Sequence, residues 1–116
     1  MGEAQRLLEI FTAMPFGDCH LLTREFITVP ARPGIYAFRH QGEGILYIGK
    51  AVNIRQRLRG GHKALGWAFI DRLDPDDVRI AATVLGYQAW LQSLEIEVRM
   101  IQILRPRYNS RIRLKE

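Results

Sequence analysis

The chain has 116 residues, 47% hydrophobic and 25% charged, enough for one globular domain with a modest core and too few for a second. The net charge of +5 favours a polyanionic partner, and no apolar run approaches the length needed to cross a membrane. Cys19 is the only cysteine, so an intramolecular disulfide is excluded, and with no secretory pattern in residues 1–14 a reducing, cytoplasmic or nucleoid-associated setting is expected.

The chain opens with an expected amphipathic helix from Glu3 to Met14, carrying Leu7, Leu8, Ile10 and Phe11. Glu25 to Val29 reads as an added strand, ended by the Pro30–Pro33 break. Cys19-His20 has no ligand-like spacing to His40 or His62 and does not read as a zinc site. Two short segments rich in β-branched and aromatic residues follow, Ile35-Tyr36-Ala37-Phe38 and Ile45-Leu46-Tyr47-Ile48. The glycine-containing turn His40-Gln41-Gly42-Glu43-Gly44 joins them, so they read as a β-hairpin. Period-2 geometry puts Tyr36 with Phe38, and Tyr47 with Ile45 and Gly49; whether the two tyrosines share a face depends on register, which spacing leaves open.

After the hairpin, Asn53 is a suitable N-cap and Gly60-Gly61 a suitable stop for a short helix bearing Arg55, Arg57 and Arg59. Alternate residues on a helix lie about 200° apart, so Arg57 points away from the other two and only one of these faces looks back at the hairpin. Gly61 to Arg72 reads as a second short helix, Asp71 to Asp77 as an acidic turn broken by Pro75, and Val78 to Leu85 as a strand. From Tyr87 to Leu104 the apolar residues Trp90, Leu94, Val98 and Ile101 recur at helical steps, predicting one long helix. On it, Glu95 stands four residues before Arg99 in the orientation of a surface ion pair. Glu97 falls at the margin of the apolar stripe, where a carboxylate is costly unless something compensates, such as a divalent cation. Ten of the seventeen Lys and Arg lie in two stretches, Lys50–Lys63 and Arg105–Lys115; such clustering describes a phosphate-binding surface better than general basicity.

Taken in order, Pro33-Gly34-Ile35-Tyr36, Leu46-Tyr47-Ile48-Gly49-Lys50-Ala51, Asn53-Ile54-Arg55-Gln56-Arg57, Ile96-Glu97 and Arg105-Pro106-Arg107-Tyr108-Asn109 resemble the ordered motifs of the GIY-YIG nuclease family. The pattern is closest to the small single-domain members and to the incision domain of bacterial nucleotide-excision-repair endonucleases. The resemblance implies that Tyr36 is a general base, that Tyr47 is a second hydroxyl near the scissile phosphate, and that Arg57, eight residues after Gly49, stabilises phosphate charge. It also implies that Glu97, twelve before Asn109, is the protein ligand of the divalent metal, Mg2+ or Mn2+. Gly49, Lys50, Arg55 and Asn109 are the implied substrate-side residues. Val52 departs from the pattern, because many relatives carry a second basic residue there.

The resulting expectation is an α/β domain with a small, mainly antiparallel three-stranded sheet flanked by helices. Residues 1–32 would be an extension packed on a nuclease domain at 33–116, with no appended recognition domain. The expected function is metal-dependent hydrolysis of phosphodiester bonds in DNA, with partner proteins as a source of specificity; the rival reading is a nucleic-acid-binding or docking module of a repair or restriction assembly with little or no turnover.

Overall fold

The computed structural model describes residues 2–110, so the expectations placed on Arg111, Arg113 and Lys115 lie outside the described residues. The main elements are α1 (Glu3–Ala13), β1 (His20–Leu21), β2 (Gly34–His40), β3 (Gly44–Ala51), α2 (Ile54–Arg59), α3 (Lys63–Ile70), β4 (Val78–Val84), α4 (Tyr87–Leu91) and α5 (Ser93–Leu104). All strands pair antiparallel in the order β1-β4-β2-β3. The sheet therefore has four strands where the sequence predicts three. The added strand is the two-residue β1, paired with Ile80 and Arg79, and not Glu25–Val29, which forms turns around Phe26 at φ 51°.

Alternation along β2 divides the interior into two cores. Tyr36 and Phe38 face one side with Ile54 and Leu58 of α2, Ala64 and Ala68 of α3, and Tyr108. Ile35 and Ala37 face the other with Leu7 and Phe11 of α1, Ile96 and Met100 of α5. The buried set of α1, Ala4, Leu7, Leu8 and Phe11, repeats at three and four residues and so makes a single stripe; Ile10 falls off that stripe and is partly exposed.

The hairpin register matches Tyr36 with Gly49 and Phe38 with Tyr47, then shifts so that Arg39 meets Ile45. The extra residue is Leu46, and this bulge is invisible to period-2 reasoning. It puts Leu46 and Tyr47 in the same core, while Ile45, expected beside Tyr47, packs in the opposite one. Both tyrosines consequently share a face with Phe38.

The long helix expected from Tyr87 to Leu104 is broken at Gln92 into α4 and α5. A continuous helix would bury Leu94. The break turns Ser93, Ile96 and Met100 inward against α1 instead, and Leu94 is 61% exposed. Packing against α1 overrides the apolar spacing that the residues suggested.

Candidate active site

Gly49 sits opposite Tyr36 across the hairpin, and its missing side chain is what lets the aromatic cluster close. A Cβ there would stand 2.6 Å from both Cζ and Oη of Tyr36 and 2.9 Å from Cε2 of Tyr47, distances no real methyl tolerates. Tyr36 is 1% exposed, with ring centroids 6.3 Å from Tyr47, 5.9 Å from Phe38 and 5.9 Å from His62. Tyr47 and His62 stand 4.6 Å apart, edge to face.

His62 is the residue that sequence reasoning missed. It has no ligand-like spacing to Cys19-His20, yet it follows the Gly60-Gly61 stop and occupies the N-cap of α3, the signal that locates it. Its Nδ1 accepts the Ala64 N–H at 3.0 Å, and its Nε2 lies 3.0 Å from Tyr36 Oη. A ring nitrogen that accepts carries no proton, so in the neutral ring the proton is on Nε2 and the imidazole donates to the tyrosine oxygen. Burial, and secondarily the Arg57 charge, pull the His62 pKa down to about 3, so the ring is neutral at ordinary pH. Burial pushes the Tyr36 hydroxyl far above the usual phenol range. Tyr47 and Glu97 add to that shift, and Arg57 opposes it. In the resting protein Tyr36 is a protonated hydroxyl whose oxygen accepts from His62.

α2 delivers one arginine to this cluster. Asn53 caps the helix, its Oδ1 accepting the Gln56 N–H at 3.0 Å, and Gly60 and Gly61 end it, Gly61 at φ 89°. Arg57, exposed, donates to the Gly61 carbonyl at 2.8 Å, and its charge is felt at Tyr36 and His62. Arg55 and Arg59 face the other way. Arg55 donates through Nε to Val29 O and through Nη2 to Ile27 O, both at 2.9 Å, and Arg59 pairs with Glu25 at 2.8 Å. Arg55, expected to bind substrate, thus ties down the 23–29 turns.

Lys50 and Asn109 also do something other than line the tyrosine face. Lys50 pairs with Ile35 and lies on the opposite side of β3 from Tyr47, its ammonium 4.9 Å from the Trp90 ring centroid. Asn109 is buried and spends its whole carboxamide on one residue of the outer strand: Oδ1 accepts from Ile48 N at 2.9 Å and Nδ2 donates to Ile48 O at 2.8 Å. It holds the backbone between Tyr47 and Gly49.

Glu97 is half-buried beside Ile96 and Met100 on α5, which packs across β3, and its charge reaches Tyr36. Glu95 is exposed and lines a surface cleft with Glu3 of α1. The expected Glu95–Arg99 ion pair is not formed among the described residues; exposed pairs of this kind contribute only about 0–1 kcal/mol, too little to hold two long side chains together. Among the described residues no cluster of three or more His, Cys, Asp or Glu stands ready to enclose a metal. A single carboxylate fits an ion that keeps several waters and takes other ligands from substrate, as Mg2+ does.

The UvrC-like GIY-YIG domain family matches residues 32–110. The chain is similar to UvrABC system protein C of Chlorobium chlorochromatii, 32% identical over 97 residues, covering 80% of this chain and 15% of that protein. It is similar also to UvrABC system protein C of Halobacterium salinarum, 35% identical over 97 residues, covering 73% of this chain and again 15% of the relative, so it spans only a small part of these proteins. Among solved structures it is similar to the GIY-YIG N-terminal endonuclease domain of UvrC from Thermotoga maritima, in a tyrosine-to-phenylalanine mutant bound to its catalytic divalent cation. The two are 26% identical with a TM-score of 0.50, the match covering 69% of this chain and 84% of that one. The magnesium-bound form of that domain, 22% identical with a TM-score of 0.51 over 93% of this chain and 98% of that one, agrees in fold. With its antiparallel sheet, flanking helices and ordered motifs, the chain belongs to the UvrC-like GIY-YIG family of endonuclease domains.

Proposed function

We propose that this protein is a divalent-metal-dependent endonuclease acting on DNA, with its cleavage centre at Tyr36, Tyr47, His62, Arg57 and Glu97. The observation that carries the reading is the grouping around Tyr36 of its buried hydroxyl, held by a neutral imidazole, the exposed Arg57 guanidinium and the half-buried Glu97 carboxylate, whose charges both reach it. Such a set matches the needs of phosphodiester hydrolysis: a placed water, cations for the developing charge, and help for the departing oxygen.

Water attacks phosphorus in line, forming one P–O bond as the bond to the leaving oxygen breaks. Arg57 presents a planar donor fork to the phosphate. Tyr36 Oη already accepts from His62, so its own proton remains to be donated, and as a neutral hydroxyl it orients the attacking water. Tyr36 takes a proton only when cations of the substrate complex lower its pKa, because burial and Glu97 both oppose the phenolate. A divalent ion, Mg2+ or Mn2+, would be held by Glu97 and would supply Lewis-acid stabilisation of the phosphate and leaving oxygen. Residues 1–32 belong to the same reading as an extension: α1 buries Leu7 and Phe11 against the sheet that carries the site. The UvrC names of the relatives favour a DNA-repair setting, with specificity supplied by partner proteins.

The test is incubation of purified protein with plasmid, branched DNA and RNA, with and without magnesium or manganese. Glu97→Gln should abolish metal-dependent nicking while binding persists, and Glu95→Gln should do little. Loss of activity in Glu95→Gln alone would show that the wrong carboxylate has been assigned. Binding by the wild type with no cleavage under either metal would favour a docking module.

A further inference from the structure

Between the end of β3 and α2 lies a cleft of about 270 Å3 lined by Lys50, Ala51, Val52, Asn53, Gln56 and Arg57. It shares Arg57 with the cleavage centre, so whatever sits in it lies next to the phosphate that Arg57 grips. Lys50 and Arg57 give it a cationic rim, and the rest of its lining is apolar or amide. Ala51 and Val52 are apolar, and Val52 is 70% exposed. A phosphate against these side chains would lose hydration without gaining a donor, whereas the face of a nucleobase loses little there. Besides the cations Lys50 and Arg57, the polar groups are amides. The Asn53 Oδ1 is taken by the Gln56 N–H, which leaves its Nδ2 donor, and the exposed Gln56 carboxamide makes no hydrogen bond among the described residues. A free carboxamide presents a donor and an acceptor side by side, the pair that matches the edge of adenine.

We infer that this cleft is a base subsite: it takes the nucleobase adjoining the cleaved phosphate, with Val52 and Ala51 against the base face and Gln56 reading its edge. The inference rests on the nuclease reading for the phosphate at Arg57. The enzyme then has a preference of its own at one position beside the cut.

The test uses the full chain in EDTA, where nothing is cleaved, observed by NMR at the Val52 methyls, the Gln56 carboxamide and the Arg57 guanidinium. The probes are the dinucleotide d(ApA) and the same sugar–phosphate with both bases removed. The base-bearing probe should shift Val52, Gln56 and Arg57 and bind at least about fivefold more tightly than the abasic one, which should shift Arg57 alone. Gln56→Ala should lower that ratio about threefold or more without changing the melting temperature. Equal shifts at Val52 and Gln56 with both probes overturn the base subsite and leave the nuclease reading intact. No shift at Arg57 with either probe overturns the nuclease reading and the subsite with it. Sequencing of ends cut from a randomised duplex gives the second readout: a base bias beside the cut in the wild type, flattened in Gln56→Ala, supports the subsite, and the same bias in both overturns it.

Discussion

At Tyr36, a single hydrogen bond sets the chemistry the side chain offers. His62 donates to its oxygen because the other ring nitrogen is occupied by the cap of α3. Tyr36→Phe and Tyr47→Phe keep the rings and remove the hydroxyls, so the nicking rate should fall about 100-fold or more, while thermal melting of Tyr36→Phe should show a loss of about 1–3 kcal/mol from the His62 N–H left unpaired. Wild-type rates in both would leave only the metal and Arg57. His62 also makes a stability prediction with a definite sign. Its pKa is about 3 in the folded protein against an ordinary value of 6.5, so between these limits the unfolded chain binds a proton that the folded one does not. This contribution to stability is fully present above pH 6.5 and is lost progressively as pH falls toward 3. Urea unfolding of the wild type and His62→Gln at pH 7 and 4.5 should therefore differ in pH dependence by about 2–3 kcal/mol, the variant losing less on acidification.

Several elements are held in place by side chains that the motif pattern marks as functional. Asn109 clamps the outer strand β3 through both backbone groups of Ile48, and Tyr108, fully buried, donates to Asp71 Oδ2 at 2.7 Å. Removing the Asn109 carboxamide leaves two buried backbone groups unpaired. Asn109→Ala should cost about 2–4 kcal/mol, raise amide exchange at Ile48 and reduce cleavage by loosening Tyr47 and Gly49. Tyr108→Phe loses one hydrogen bond to a carboxylate, about 1.5–3 kcal/mol, and should retain its cleavage rate below its melting temperature. Arg55 is the matching case on α2. Since its guanidinium is spent on Val29 and Ile27 carbonyls, Arg55→Ala should lower stability and leave the salt dependence of DNA binding unchanged.

Over the whole molecule, the basic clusters exceed the cations available to DNA. Of the five between Lys50 and Lys63, Arg55 and Arg59 are engaged with the 23–29 turns. With two or three phosphate contacts from this stretch, affinity should fall about 10- to 100-fold between 50 and 200 mM salt. Arg57→Ala should reduce turnover far more than affinity. Salt-independent binding would contradict an electrostatic surface. No helix among the described residues is long and apolar enough to cross a membrane.

The sequence by itself determined the family, the hairpin, the capped basic helix and the separation of Arg57 from its two neighbours. Each of these rests on local spacing or ordered motifs: strand period, helical angle, the Asn53 cap and the paired glycines. Tertiary structure decided what local spacing does not encode. The Leu46 bulge put both tyrosines on one face, and α1 packing broke the last helix at Gln92 and sent Leu94 outward. Chain closure brought His62 to Tyr36, twenty-six residues away, and Asn109 to Ile48, sixty-one away. Contacts between residues so far apart in the chain form only when the two cores close on the sheet, so no window of sequence carries them.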